Sequence, residues 1–132
     1  MATQPKTIVV VEDEPDTAEM FAEMARLIGL QVYKSYGGVR AIDLIVDKKP
    51  AAVLLDVMMP DLSGLEVLRF LRRDPRLAHI PVIIVSAKGL PTDIKVGMDA
   101  GAAFYLTKPV SFADLKQAVE EAIRLSQANN QF

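Results

Sequence analysis

The sequence lacks several features that would indicate other classes of protein. It contains no cysteine, which excludes disulfide bonds and thiolate metal sites. Its apolar runs fall well short of the roughly 20 residues that a membrane-spanning helix needs. Residues 1–6 also lack the apolar segment of a secretory signal. We therefore expect a soluble, cytoplasmic protein with no membrane insertion.

Positive charge is not concentrated anywhere along the chain. The 15 lysines and arginines are scattered among 17 aspartates and glutamates, and the net charge is −2. Nucleic-acid binding normally uses a basic patch or stripe that neutralises backbone phosphates. We therefore expect no direct contact with nucleic acid.

The chain does contain enough apolar material for one globular core. It has 132 residues, of which 51% are hydrophobic and 24% charged, the composition of an ordinary globular domain. We expect a single domain over residues 1–132, with an ordered core over about 6–125. Residues 126–132 are polar and are expected to be a frayed tail or the start of a linker.

Apolar segments and helical patterns alternate along the sequence. Three runs, at 7–11, 51–55 and 80–85, are almost continuously apolar, which is typical of strands buried on both faces of a parallel sheet. Weaker strand candidates lie at 30–36 and 102–106. Helical patterns fall at 16–28, 39–46, 63–75, 92–98 and 112–125, with Ser63 and Ser111 as N-caps. The alternation predicts an α/β fold with a doubly wound parallel sheet of five strands and five helices.

Polar side chains stand at the carboxyl ends of these predicted strands, where such a sheet collects its functional groups. They are Glu12, Asp13 and Glu14 after the first strand, Asp56 after the third, Ser86 after the fourth and Lys108 after the fifth. Carboxylates that cluster repel one another and need a compensating cation, and oxygen ligands favour Mg²⁺ or Mn²⁺. The sequence therefore predicts a divalent-metal site beside a lysine.

Asp56 is the candidate nucleophile of this site, because it ends a strand between the apolar residues Leu55 and Val57. An aspartate beside Mg²⁺ can form an aspartyl phosphate. The metal, the Lys108 ammonium and the Ser86 hydroxyl would then neutralise or hydrogen-bond the phosphoryl oxygens.

Four motifs, in this order, resemble those of response-regulator receiver domains. They are VVEDEP at 10–15, LDVMMPDLSG at 55–64, Ser86-Ala87 and Lys108-Pro109. The resemblance covers nearly the whole chain and implies a flavodoxin-like fold with strand order 2-1-3-4-5. It implies that Asp56 accepts phosphate from a histidine kinase or a phosphotransfer protein. It also implies a signalling protein rather than an enzyme, acting on a downstream target or an output domain.

The same resemblance assigns the metal ligands. Asp13, Asp56 and the backbone carbonyl of Met58 would hold Mg²⁺, with Mn²⁺ able to substitute. Glu12 stands where the family more often has aspartate, and would reach the ion through water. Lys108 corresponds to the phosphate-binding lysine.

The resemblance also assigns a switch. Ser86 corresponds to the switch hydroxyl and Tyr105 to the aromatic side chain that changes rotamer on activation, although the neighbouring Phe104 is a competing candidate. Pro109 corresponds to a cis proline.

Two residues near the site bear on how long a phosphoryl group would last. Met58 cannot orient water by hydrogen bonding, and the protonated side chain of Lys88 cannot act as a base. We therefore predict slow self-dephosphorylation.

Other functions fit the pattern less well. A phosphotransferase or phosphatase of the haloacid-dehalogenase type would require aspartate at Met58, and a flavodoxin-like cofactor carrier would require a glycine-rich loop after the first strand. A receiver-like docking module that is never phosphorylated remains an alternative, although every required side chain is present. Taken singly, the acidic residues 12–14 could simply cap a helix, and Lys108 could be a surface lysine.

Overall fold

The computed structural model describes residues 5–129, and within them five strands alternate with five helices. The strands are β1 (Thr7–Val11), β2 (Gln31–Ser35), β3 (Ala52–Asp56), β4 (Val82–Ser86) and β5 (Phe104–Thr107). The helices are α1 (Pro15–Ile28), α2 (Gly38–Lys48), α3 (Gly64–Arg73), α4 (Pro91–Asp99) and α5 (Phe112–Asn129). Within this range, no helix has both the length and the apolar character needed to cross a bilayer.

The strands form one parallel sheet in the order β2-β1-β3-β4-β5. This confirms the predicted doubly wound fold and its strand order. One face of the sheet packs against α1 and α5, and the other against α2 and α3, so two separate apolar clusters form. Successive residues of β1 illustrate this division, since Ile8 and Val10 belong to one cluster and Val9 and Val11 to the other.

The position of each strand in the sheet explains how strongly apolar its sequence is. β3 and β4 are buried along their whole length, which explains their continuous apolar runs. β2 and β5 form the two edges and are half-buried, so their sequences carry a weaker pattern. β5 accordingly begins two residues later than the candidate segment 102–106.

The predicted helix caps are present. The Ser63 hydroxyl accepts a hydrogen bond from the Glu66 N–H at 3.3 Å, and the Ser111 hydroxyl accepts one from the Asp114 N–H at 3.1 Å. Helix α5 is longer than predicted, because residues 112–129 contain neither glycine nor proline and the helix continues past 125 to Asn129. Residues 126–129 are therefore helical rather than frayed, and the rest of the expected tail, 130–132, lies outside the described residues.

Candidate functional site

Three carboxylates meet at the carboxyl edge of the sheet. Glu12 and Asp13 follow β1, and Asp56 is the last residue of β3. One oxygen from each of the three lies within 4.8 Å of the others, and Glu12 and Asp56 are almost completely buried. The fold therefore brings together all three side chains proposed from the sequence as metal ligands.

Lys108 lies against this cluster. Its Nζ atom is 2.6 Å from Glu12 Oε1 and 3.7 Å from Asp56 Oδ2. Its backbone N–H donates to the Ser86 carbonyl at 2.8 Å, and the peptide bond from Lys108 to Pro109 is cis. The ammonium thus contacts Glu12 more closely than Asp56, a preference that the sequence did not indicate.

The charges of this cluster do not balance. With three carboxylates and one ammonium, full ionisation would leave two negative charges in a largely buried space. Burial, reinforced by the adjacent Glu12, raises the pKa of Asp13 above its usual value, although Lys108 opposes this. The possible ligands are carboxylate oxygens, which Mg²⁺ prefers, and a divalent cation would balance the two excess negative charges. These residues therefore fit Mg²⁺ well.

Glu14, the third acidic residue of this segment, has a structural role instead. Its carboxylate caps α1 by accepting hydrogen bonds from the N–H groups of Asp16 at 3.0 Å and Thr17 at 2.8 Å. Hydrogen bonds from Thr17 and Asp16 hold the pKa of Glu14 below its usual value. The helix-capping alternative considered for the acidic segment is therefore correct for Glu14.

The loop after β3 is folded tightly over Asp56. The Met58 N–H donates to Asp56 Oδ1 at 3.3 Å, and the Gly64 N–H donates to the Val57 carbonyl at 2.9 Å. A Cβ atom on Gly64 would overlap the Asp56 carbonyl oxygen, so only glycine allows this approach. The loop consequently brings the Met58 backbone next to the Asp56 carboxylate.

Ser86 and Tyr105 are both hydrogen-bonded to Lys88, which lies in the loop that joins β4 to α4. The Ser86 hydroxyl is fully buried and accepts a hydrogen bond from the Lys88 N–H at 3.1 Å. The Tyr105 hydroxyl donates to the Lys88 carbonyl at 2.6 Å. Phe104 packs against the opposite face of the sheet, so its side chain is not the one beside this loop.

Arg72 has a structural role that sequence reasoning missed. Its half-buried guanidinium donates to the carbonyls of Gly101 at 2.9 Å, Ile80 at 2.8 Å and Ala78 at 3.2 Å. Burial lowers its pKa. In the sequence it is one of two adjacent arginines at the end of a helix, and nothing distinguishes it from its neighbour Arg73.

Relatives of the chain carry the same type of domain. The family model for the response regulator receiver domain matches residues 8–120. The chain is 37% identical over 119 residues to the phosphate regulon transcriptional regulatory protein PhoB of Pseudomonas aeruginosa, and the match covers 90% of this chain and 52% of PhoB. It is 34% identical over 107 residues to the polar-differentiation response regulator DivK of Brucella anthropi, covering 81% of this chain and 87% of DivK. The chain therefore spans about half the length of PhoB.

A solved receiver domain has the same fold. The receiver domain of the sensor histidine kinase PA1611 from Pseudomonas aeruginosa PAO1 aligns with a TM-score of 0.84 and 27% sequence identity. The alignment covers 92% of this chain and 99% of that domain, which was solved with a magnesium ion coordinated in its active site cleft.

Proposed function

The chain belongs to the response regulator receiver domain family, a signalling module of two-component systems, and from this premise we propose that Asp56 accepts a phosphoryl group. The observation that carries the proposal is the position of Asp56, buried at the end of β3 beside two further carboxylates and Lys108. The donor would be a histidine kinase or a phosphotransfer protein. We expect this transfer to take place in the cytoplasm.

Phosphoryl transfer to Asp56 would proceed by direct displacement. One carboxylate oxygen of Asp56 attacks the phosphorus, and the bond from phosphorus to the donor atom breaks with its electron pair remaining on the donor. Lys108 would exchange its contact with Glu12 for one with a phosphoryl oxygen, and the Ser86 hydroxyl would donate to another. In this role the protein would catalyse only its own phosphorylation and its slow dephosphorylation.

A divalent cation would complete the site. Asp13, Asp56 and the Met58 carbonyl would hold Mg²⁺ directly and Glu12 would hold it through water, with Mn²⁺ as a substitute. When bound, the ion would neutralise charge on the phosphoryl group during transfer.

Phosphorylation would change the surface of the molecule. The added charge and acceptor oxygens would draw Ser86 and its loop towards Asp56. Because the Tyr105 hydroxyl is bonded to the Lys88 carbonyl in this loop, movement of the loop would break that bond and let the ring change rotamer. The face formed by α4, β5 and α5 would then present a different surface to a downstream protein or an output domain.

The proposal is tested by incubating the protein with acetyl phosphate and Mg²⁺ and measuring intact mass. We expect one added phosphoryl group on the wild type, and none on Asp56→Asn or in the presence of a chelator. Asp43→Asn, which alters an exposed aspartate on α2, is the matched control and should be modified like the wild type. Absence of an adduct on the wild type, together with failure to bind BeF₃⁻ and Mg²⁺, would identify a docking module that is not phosphorylated.

A further inference from the structure

The junction of β2 and α2, residues 35–39, contributes no proposed metal ligand, yet it is hydrogen-bonded to both loops that do. On one side, the Glu12 N–H donates to the Ser35 carbonyl at 3.0 Å. On the other side, the two carboxylate oxygens of Asp61 accept hydrogen bonds from Gly38 N–H at 3.1 Å and Val39 N–H at 3.2 Å. A hydrogen-bonded path therefore runs from the loop after β1 to the loop after β3.

Ser35 joins the two halves of this path. Its side chain is buried, and its hydroxyl donates to the Gly37 carbonyl at 2.8 Å. This bond holds the chain in a tight turn between β2 and α2. The turn fixes the direction of the first N–H groups of α2. These N–H groups donate the hydrogen bonds that the Asp61 carboxylate accepts.

Asp61 is exposed, but its carboxylate is firmly held. Hydrogen bonds from the N–H groups of Leu62, Gly38 and Val39 keep its pKa below the usual value for aspartate. The contact is also close, because a Cβ atom added to Gly37 would lie only 2.8 Å from Asp61 Oδ2. A charged acceptor at the first N–H groups of a helix is a strong hydrogen-bonding arrangement.

Asp61 lies within the loop that joins β3 to α3, and its hydrogen bonds to α2 restrain this loop. The loop runs from Val57 to Ser63, and its ends are fixed by β3 and by Gly64. Asp61 anchors the middle of the loop to a different element, α2. Since Met58 lies in the same loop, the anchor limits how far the Met58 carbonyl can move relative to Glu12 and Asp13.

We propose that Asp61 and Ser35 are positioning residues, which set the affinity of the site for a divalent cation by fixing the distance between its two ligand-bearing loops. This inference rests on the metal site of the proposed function. Neither residue is a proposed ligand of the ion. Asp61 acts through the first N–H groups of α2, and Ser35 acts through the Gly37 carbonyl.

The test is the Mg²⁺ affinity of Asp61→Asn, measured by calorimetry. Asparagine keeps one acceptor oxygen and turns its amide donor towards the second N–H, so the anchor is lost while shape is retained. Removal of groups that orient metal ligands typically weakens binding about 10- to 100-fold, and we expect the low end, about tenfold. Asp93→Asn, which removes a helix-capping carboxylate from the Leu90 N–H on α4, should bind Mg²⁺ like the wild type.

Two further measurements separate positioning from stability. Amide resonances of Asp13 and Met58 should shift in Asp61→Asn, and remain in place in Asp93→Asn. In a double-mutant cycle, Ser35→Ala and Asp61→Asn should weaken Mg²⁺ binding less together than the product of their separate effects, because both interrupt one path. If Asp61→Asn does not fold, Ser35→Ala alone tests the inference, and it should also weaken Mg²⁺ binding and shift the Asp13 and Met58 amide resonances.

The outcomes distinguish this inference from the function on which it rests. A wild type that binds no Mg²⁺ would overturn the proposed metal site itself. A wild type that binds Mg²⁺, with both variants binding equally well and their Asp13 and Met58 resonances unmoved, would overturn the positioning roles alone.

Discussion

Glu12 and Lys108 form the closest charged contact in the candidate site, and both side chains are largely buried. A buried carboxylate is stable in its ionised form only with a partner of opposite charge. Lys108 therefore acts as the counter-ion of the carboxylate cluster, in addition to its proposed role towards the phosphoryl group.

Removing this counter-ion should destabilise the fold. We expect Lys108→Met to lower the free energy of unfolding by about 3 kcal/mol in the presence of a chelator, because the buried Glu12 loses its ion-pair partner. The loss should be smaller in saturating Mg²⁺, which would supply positive charge in place of the lysine. Urea unfolding measures both values.

The control for this prediction is Lys95→Met, which removes an exposed ion pair with Asp99 on α4. Exposed pairs contribute little, so this variant should remain within about 0.5 kcal/mol of the wild type. Equal losses in the two variants would contradict the counter-ion role of Lys108.

Met58 and Lys88 lead to a prediction about phosphoryl lifetime. Both side chains are exposed near the site, and neither can activate water as a base. We expect the phosphorylated protein to lose its phosphoryl group slowly after the donor is removed, and Met58→Asn to lose it faster because an amide can orient water. Intact mass followed over time measures both, and loss from the wild type within seconds would refute the prediction.

The sequence predicted which side chains lie together at this edge of the sheet better than it predicted the contacts among them. Asp13, Asp56, Ser86 and Lys108 could be identified because strand ends converge in this kind of sheet. The role of Asp61 depends on N–H groups more than 20 residues earlier in the chain, and that of Arg72 on carbonyls in two later segments. Such contacts leave no local pattern, so their residues look like ordinary surface charges.

Among the five helices, α4 has the fewest buried residues. Gly97 is its one buried residue, and a Cβ atom there would lie 2.8 Å from a Tyr105 ring carbon and 3.0 Å from Ile84 Cδ1. Helix α4 therefore contacts the Tyr105 ring at Gly97, where a side chain would overlap the ring. A helix with so few buried positions carries only a weak apolar pattern in its sequence.

Gly97→Ala should therefore disturb the contact between α4 and β5. Alanine favours helix by about 1 kcal/mol, but overpacking typically costs about 1 to 3 kcal/mol, so we expect a net loss of about 1 kcal/mol. Urea unfolding measures the loss, with the exposed substitution Thr92→Ala as control. If Gly97→Ala were more stable than the wild type, the Tyr105 ring could move away from the added methyl group without lowering the free energy of unfolding.

Over the whole molecule, a few charged side chains join elements that are distant in the chain. Arg72 connects the end of α3 to the turn before β5, and Glu19 on α1 pairs with Lys34 on the edge strand β2 and with Arg26. Lys34 and Arg26 lower the pKa of Glu19 from its ordinary 4.5 to about 2.

This pairing gives a pH dependence of defined sign. Because the folded-state pKa of Glu19 is depressed, its contribution to stability is present above pH 4.5 and disappears as the pH falls towards 2. The difference in unfolding free energy between the wild type and Glu19→Gln should therefore shrink over this range. Urea unfolding at several pH values measures it, with Glu120→Gln as an exposed control, and a difference that does not change with pH would argue against the pairing.

The hydrogen bond from Tyr105 to Lys88 also means that tyrosine fluorescence can report the conformation of the loop between β4 and α4. The chain has three tyrosines and no tryptophan, so its intrinsic fluorescence comes from tyrosine alone. With Tyr33→Phe and Tyr36→Phe, the single remaining fluorophore would be bonded through its hydroxyl to the loop beside Ser86. The emission of unlabelled protein would then report, in real time, when that loop releases the ring.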